Sequence, residues 1–244
     1  MFTSGVATLQ DNSAHGEDRY LVRDLDGHAR LDAVMDGVTG RRGGQASAAV
    51  ADALAAVRLT CPEDLVAVLE EVNRRLYQVG RGRFLLTTVS AALSLGGRLY
   101  VVGTGDSPVL RVRSDSFDQL SSRMGDLLPA GVARTIGASH QLVHLYRAEV
   151  ALEPGDRLLL ATDGVTDNVA SCELVEIIRS GASPDDAAAQ LKTIMTARQA
   201  EGRLPAPLRR GFRRDDWTAI VRFFRAAPTY QTITRSQAKM SSTI

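Results

Sequence analysis

The residues of this chain that could carry chemistry are aspartates at the ends of apolar segments. In LLLATDGVTDN, residues 158–168, an apolar segment of strand length runs into Asp163, Gly164 and, four residues after the first carboxylate, Asp167. A carboxylate at a strand end, followed by a glycine that lets the backbone turn and by a second carboxylate, can hold a cation on a rigid element. Taken alone, the same letters are also typical of a strand that ends in an ordinary turn.

The pattern recurs along the chain. An aspartate ends or directly precedes four more apolar segments: Asp18, Asp36, Asp106 and Asp215. If these segments are neighbouring strands, the carboxylates meet at one edge and repel each other unless cations neutralise them. Oxygen ligands favour Mg²⁺ or Mn²⁺, and the scarcity of histidine, with 4 in the chain, argues against zinc or copper.

The segments that must position these aspartates alternate between strand and helix patterns. Helices are predicted at about 44–59, 62–80, 171–180 and 184–195, and the last two are separated by Gly181 and Ser183-Pro184. Strands are predicted at 20–25, 29–35, 85–95, 99–103, 109–112, 141–151, 158–161 and 217–221. Asp26-Gly27 predicts a hairpin turn, residues 5–12 show no clear pattern, and 114–139 predict a long loop.

Composition sets the broad class of the protein. The 244 residues carry 29 basic and 28 acidic side chains, a net charge of +1, which does not indicate nucleic acid or an anionic membrane as the main partner. We find no long apolar segment of spanning length, so the chain is predicted to be cytoplasmic. Cys61 and Cys172 lie far apart and indicate neither a disulfide framework nor a zinc site.

We predict one domain over residues 1–225, a disordered tail over 226–244, and a monomer.

Six short motifs in order resemble the metal-dependent protein serine/threonine phosphatases, the type 2C or PPM family. They are GED (16–18), DGVTG (36–40), TT (87–88), GDS (105–107), TDGVTD (162–167) and DDWT (215–218). Each motif alone is weak, but their shared order and spacing extend over about residues 5–224. The resemblance implies an α+β fold, a four-layer αββα sandwich in which two mainly antiparallel β-sheets are flanked by helix pairs.

The resemblance also implies a site with two Mn²⁺ or Mg²⁺ ions. Asp36 would bridge them with help from the Gly37 carbonyl, and Asp163 and Asp215 would hold one ion, so these three aspartates are the predicted catalytic residues. The remaining implied ligands are Glu17 and Asp18, acting through water, and Asp106 and Asp167 at a third, weaker ion. In such a site a hydroxide bridging the two ions attacks the phosphorus of phosphoserine or phosphothreonine directly.

The chain departs from the family pattern where the substrate phosphate binds. Many members carry an arginine five residues before the aspartate that matches Asp18, and here that residue is Ser13. Arg41 and Arg42, beside a predicted helix start, and His15 are the candidates to contact the phosphate. The arginine pair is equally well explained as solvated surface.

Three functions are compatible with the sequence. The first is an active phosphatase that acts on phosphorylated proteins, targets of a serine/threonine kinase. The second is a regulatory binding module of the same fold, for which the missing arginine at Ser13 is the argument. The third is a phosphohydrolase of small molecules. The complete set of carboxylates favours the first.

Overall fold

The computed structural model of the chain describes residues 2–25, 29–121, 134–142 and 144–227. Within these residues, ten strands form two five-stranded sheets. Every strand pairing in both sheets is antiparallel. This order of strands decides which chain segments meet at the edge of each sheet.

The first sheet brings the last strand of the chain between the first strand and a central one. Its strands, in spatial order, are β1 (Phe2–Asp11), β10 (Trp217–Ala226), β9 (Arg157–Ala161), β6 (Val109–Val112) and β7 (Phe117–Gln119). Because β9 and β10 are antiparallel, the end of β9 and the start of β10 lie at the same edge. Asp163 and Asp215, which follow and precede these strands, therefore come together.

The second sheet gathers the other aspartates at its corresponding edge. Its strands, in spatial order, are β2 (Arg19–Asp24), β3 (Arg30–Met35), β4 (Val89–Leu95), β5 (Arg98–Thr104) and β8 (Tyr146–Ala151). Arg19 pairs with Met35, so Asp18 and Asp36 lie next to each other in the strand register. Thr104 pairs with Val89, which places Asp106 at the same end of the sheet.

Helices cover the outer faces of both sheets. They are α1 (Gly43–Ala56), α2 (Pro62–Gly80), the single-turn α3 (Asp163–Thr166), α4 (Ser171–Ser180) and α5 (Pro184–Glu201). α1 and α2 pack on the second sheet, and α4 and α5 pack on the first. A third buried cluster fills the space between the sheets. The predicted four-layer αββα sandwich is confirmed.

Several boundaries differ from the sequence prediction. The predicted strand at 85–95 begins only at Val89, because Leu85 adopts a left-handed backbone with φ of 59° and Thr87 makes only isolated bridges. The first strand, Phe2–Asp11, was missed since its small residues and Gly5 do not alternate in polarity. The predicted turn at 26–27 and nearly all of the predicted tail lie outside the described residues.

The loop predicted at 114–139 contains the short strand β7, and residues 122–133 lie outside the described part of the chain. Searching the described residues for a helix with the length and apolarity needed to cross a bilayer finds none.

Candidate active site

The aspartates at the strand ends surround one cavity of about 510 Å³. The cavity is lined by Asp36, Gly37, Val38, Thr39, Thr88, Gly105, Asp106, Arg134, Thr135, Asp163 and Asp215. Five residues predicted for the metal site therefore lie around the same space: Asp36, Gly37, Asp106, Asp163 and Asp215. The remaining predicted site residues lie behind or beside this cavity.

The TT motif holds the backbone of Asp36. The Thr88 hydroxyl accepts a hydrogen bond from the Asp36 N–H at 3.2 Å, and the Thr87 hydroxyl donates to the Asp36 carbonyl at 2.8 Å. Thr88 Oγ1 also lies 3.2 Å from the Ser107 hydroxyl, which ties the GDS motif to the same point. Two motifs far apart in sequence thus fix the position of one carboxylate.

Two glycines of the motifs are required by close packing. Gly37 crosses Gly43, the first residue of α1, so closely that a Cβ on either residue would overlap the backbone of the other. A Cβ at Gly164 would overlap the carbonyl oxygen of Asp216. Gly164 was predicted to lie in a turn, but it lies in the first turn of α3, where it lets the helix approach Asp216, which directly precedes β10.

Asp18 lies beside Asp36 in the strand register, and Glu17 precedes it in the chain. The Asp18 side chain is 1% exposed and accepts a hydrogen bond from the Thr162 hydroxyl at 2.8 Å. Burial raises the pKa of Asp18 to about 7, an effect that hydrogen bonds from Thr162 and Thr218 only partly offset. The Glu17 Oε2 atom is buried and has no hydrogen-bond partner among the described residues. Such an oxygen is unsatisfied unless a donor or a cation reaches it.

The carboxylates around the cavity oppose each other's ionisation. Burial, followed by the charges of Asp163, Asp18 and Asp106, raises the pKa of Asp36 to about 10. The pKa of Asp163 is raised to about 6, chiefly by burial, while a hydrogen bond with Asp36 lowers it.

The carboxylates around the cavity have the charge and the oxygen donors that hard cations prefer. Within the described parts of the chain, no three acidic, histidine or cysteine side chains converge on one point at the spacing of metal ligands.

Asp167 is neutralised by arginine. Its carboxylate accepts a hydrogen bond from Arg210 Nη2 at 2.9 Å and forms a second ion pair with Arg213. Both arginines belong to the basic loop that leads into Asp215, and Asp167 does not line the cavity. The positive charge beside Asp167 thus comes from guanidinium groups, where the family resemblance predicted a third cation.

Asp216 organises the segment that carries the GED motif. Its carboxylate accepts hydrogen bonds from the backbone N–H groups of Ala14 at 3.1 Å, His15 at 2.9 Å and Glu17 at 2.6 Å. The segment is thereby held against the start of β10, and His15 Nε2 comes within 3.8 Å of Asp215 Oδ1. This bridging role was not predicted, because sequence spacing does not show that the two segments meet.

The two arginines predicted to contact the substrate phosphate, Arg41 and Arg42, lie away from the cavity lining. Arg41 and Arg42 are exposed and turn towards the loop after α2, where Arg41 Nη1 donates to the Arg83 carbonyl and Arg42 lies over the Phe84 ring. Neither lines the cavity, so the prediction that they contact a phosphate there differs from the structure.

Arg134 provides the positive charge that the sequence analysis missed. It is the cationic member of the described residues that line the cavity, and Thr135 lies beside it. No local signal marks it, because it falls within a stretch that resembles an irregular loop.

The fold is thus a sandwich of two antiparallel sheets with an acidic cavity at one edge. Residues 28–223 match the model of the family described as Stage II sporulation protein E (SpoIIE). The chain therefore belongs to this family, and the predicted kinship with the metal-dependent protein phosphatases is confirmed.

Individual relatives agree with this placement. Protein phosphatase PhpP of Streptococcus pneumoniae serotype 2 is 26% identical over 133 residues, which cover 46% of this chain and 54% of the relative. The match thus spans about half the length of that protein.

Solved structures confirm the fold. The catalytic domain of the serine/threonine phosphatase PstP, solved with 2 manganese ions, is similar with a TM-score of 0.70 and 24% identity over 93% of this chain and 100% of that one. PppA, a regulatory component of the type VI secretion system in Pseudomonas aeruginosa, is similar with a TM-score of 0.72 and 23% identity over 91% and 97% of the two chains.

Proposed function

We propose that this protein is a metal-dependent phosphatase that hydrolyses phosphoserine and phosphothreonine in proteins. The observation that carries the proposal is the set of four carboxylates, Asp36, Asp106, Asp163 and Asp215, around one cavity. Family membership and the names of the relatives PhpP and PstP support a protein substrate.

The chemistry of the donor set suits hard divalent cations. Burial and mutual repulsion raise the pKa of Asp36 and of Asp163, which supports a need for positive charge there, and the unpartnered Glu17 Oε2 offers a further oxygen. We propose that Asp36, the Gly37 carbonyl, Asp163 and Asp215 hold the ions, with Glu17 and Asp18 acting through water. When bound, Mn²⁺ or Mg²⁺ activates water as a nucleophile and offsets charge on the phosphoryl oxygens. The PstP relative, solved with 2 manganese ions, supports this assignment.

The other residues of the site have separate tasks in this proposal. Arg134 binds the substrate phosphate in place of the arginine that the family carries at the Ser13 position, because a guanidinium matches two phosphoryl oxygens. His15, beside Asp215, is the candidate proton donor to the leaving hydroxyl. Asp106 completes the acidic wall, and Asp167 remains paired with arginine.

The two alternatives have less support. The argument for a regulatory binding module was the missing arginine at Ser13, and Arg134 weakens it. A phosphohydrolase of small molecules would use the same site, so only a comparison of protein and small-molecule substrates can distinguish it from a protein phosphatase. The domain boundary at residue 225, the monomeric state and the cytoplasmic location stay predictions from the sequence.

The proposal is tested by hydrolysis of p-nitrophenyl phosphate and of a phosphothreonine peptide by protein that is stripped of metal and then titrated with Mn²⁺. We expect both activities to require Mn²⁺, and Asp36→Asn to lower kcat/KM by more than about 100-fold, since even the outer partners of metal ligands contribute 10–100-fold. Asp52→Asn, which removes an exposed carboxylate on α1, is the matched control and should keep full activity.

A second variant tests the phosphate contact. Arg134→Ala should raise KM for p-nitrophenyl phosphate about tenfold or more with a smaller change in kcat, because a charged hydrogen bond contributes about 1.5–3 kcal/mol. Arg134→Lys should recover part of the loss. A Mn²⁺-binding protein that hydrolyses neither substrate would support the binding module, and a strong preference for nucleotides would support the small-molecule enzyme.

A further inference from the structure

One basic surface borders the cavity and is not used by the proposed chemistry. We call it the arginine rim: Arg41, Arg42, Arg81, Arg83 and Phe84, all of which are exposed. Its two segments are joined by backbone hydrogen bonds, from the Leu85 N–H to the Arg41 carbonyl at 2.6 Å and from the Val38 N–H to the Leu86 carbonyl at 2.9 Å. Val38 and Thr39 line the cavity, so the rim is continuous with its wall.

The positive charge of the rim is not balanced within the described part of the molecule. Ion pairs are formed by several other arginines, among them Arg74, Arg98 and Arg111, whose partners are nearby carboxylates. In the described residues, none of the four rim arginines makes an ion pair with an acidic side chain. Four arginines without an acidic partner among the described residues therefore lie on two adjoining segments, one of which continues from the cavity-lining residues Val38 and Thr39.

Two arginines of the rim have backbone conformations that are unfavourable for any residue with a side chain. Arg42, before α1, has φ of 55°, and Arg81, directly after α2, has φ of 51°. Both values lie in the left-handed region, which glycine adopts without cost and which is the usual place for glycine after a helix. Arginine at these two positions therefore carries an energetic cost that glycine would not.

The rim also exposes apolar surface. The Phe84 ring is 47% exposed and its centroid lies 5.9 Å from the Arg42 guanidinium carbon, and Val79, next to the last residue of α2, is 74% exposed. Arginine and aromatic side chains together are the residues that contribute most at protein interfaces. The rim thus has the composition of a surface that contacts another polypeptide.

We propose that the arginine rim binds an acidic segment of the phosphoprotein substrate that flanks the phosphorylated residue. This inference rests on the proposed phosphatase function and gives it a sequence preference: Asp or Glu within a few residues of the phosphoserine or phosphothreonine. Charge complementarity selects such a segment, and the continuity of the rim with the cavity places it beside the phosphate. The attraction also counteracts the repulsion between an anionic substrate and the acidic cavity.

The test compares two phosphothreonine peptides that differ only in their flanking residues, Asp and Glu in one and Asn and Gln in the other. Wild-type protein should prefer the acidic peptide by about five- to tenfold in kcat/KM, and the preference should fall as salt is raised. Arg81→Gly combined with Arg83→Gln should remove most of the preference and leave p-nitrophenyl phosphate hydrolysis unchanged. Because Arg81→Gly relieves the left-handed strain, the variant should unfold at the same or a higher temperature.

The matched control is Arg58→Gln combined with Arg225→Gln, which removes the same charge from exposed positions just after the end of α1 and near the end of β10. The control should keep the preference for the acidic peptide. Equal kcat/KM for both peptides in an active wild-type protein would overturn the proposal that the arginine rim binds an acidic segment, and it would leave the phosphatase proposal intact.

Binding measured without catalysis separates the two proposals further. Fluorescence anisotropy with labelled peptides and metal-free protein should show tighter binding of the acidic peptide even if no activity is found. Binding of the rim to phosphatidylserine vesicles, without discrimination between the peptides, would identify a membrane surface and overturn the inference.

Discussion

At the scale of single residues, the site is a group of buried carboxylates held close together without enough positive charge nearby to offset their repulsion. Burial and mutual repulsion raise the pKa of Asp18 to about 7, of Asp36 to about 10 and of Asp163 to about 6. The ordinary value is 3.8 for each, so the metal-free folded state binds protons that the unfolded state releases. The acidic cluster therefore destabilises the metal-free fold at neutral pH.

This leads to a prediction about pH and metal. Since the folded pKa values lie above the unfolded ones, the stabilisation from protonation is complete below about pH 4 and is lost as pH rises through the values for Asp163 and Asp18. Metal-free protein should therefore unfold at a lower temperature at pH 8 than at pH 5.5, and Mn²⁺ should raise the unfolding temperature most at pH 8.

Calorimetry of EDTA-treated and Mn²⁺-loaded protein checks this prediction. Asp18→Asn should reduce the pH dependence of the metal-free protein, because the amide cannot ionise. A metal-free protein that becomes steadily more stable between pH 5.5 and pH 8 would show that the cluster is not under-compensated.

At the scale of elements, the site depends on contacts made by residues that are not proposed ligands themselves. The TT motif fixes Asp36, the close approach of Gly164 docks α3, and Asp216 holds the segment from Ala14 to Glu17. In each case a backbone group of one element is satisfied or packed by another element. The motif residues therefore hold the elements of the site together as well as supplying the proposed metal ligands.

Asp216 gives the clearest test of this role. In Asp216→Asn, an NH₂ group replaces one of the carboxylate oxygens that accept hydrogen bonds from three backbone N–H groups. The lost acceptor should lower the free energy of unfolding of the metal-free protein by about 1–3 kcal/mol. Asp11→Asn is the control, since Asp11 accepts one exposed N–H, from Ser13, and should change stability by less than about 0.5 kcal/mol. Urea denaturation measures both, and equal effects would refute the assignment.

At the scale of the whole molecule, an ion pair joins the two sheets. Arg222 of β10 and Asp32 of β3 are 1% and 2% exposed and form two hydrogen bonds of 2.6 and 2.7 Å, and Arg222 also donates to the Ser4 hydroxyl at 2.8 Å. Burial raises the pKa of Asp32 despite this pairing. The desolvation of the carboxylate thus outweighs the attraction, as is common for buried pairs.

The pair should therefore behave asymmetrically on mutation. Arg222→Met alone leaves a buried carboxylate and should cost about 3–5 kcal/mol, whereas Asp32→Leu with Arg222→Met should be neutral or stabilising by about 1–4 kcal/mol. Urea denaturation of the single and double variants measures this. A double variant as unstable as the single one would show that the pair itself stabilises the sandwich.

Much of the molecule follows from the sequence alone. Local patterns predicted the helix at 62–80 and a hairpin of strands at 20–25 and 29–35, which the structure forms as Arg19–Asp24 paired with Arg30–Met35, because turn residues and apolar periodicity act over short distances. The order of the acidic motifs predicted the family and the sandwich. It also predicted that Asp36, Asp163 and Asp215 meet, since each lies next to a strand end.

The tertiary structure decided what depends on contacts between distant segments. The ten-residue strand Phe2–Asp11 forms because β10 pairs with it along its whole length, although its own sequence shows no strand pattern. Arg134 lines the cavity, Arg210 and Arg213 neutralise Asp167, and Arg41 and Arg42 face the loop after α2. A side chain's partner is set by packing across the fold, and spacing along the chain carries no record of it.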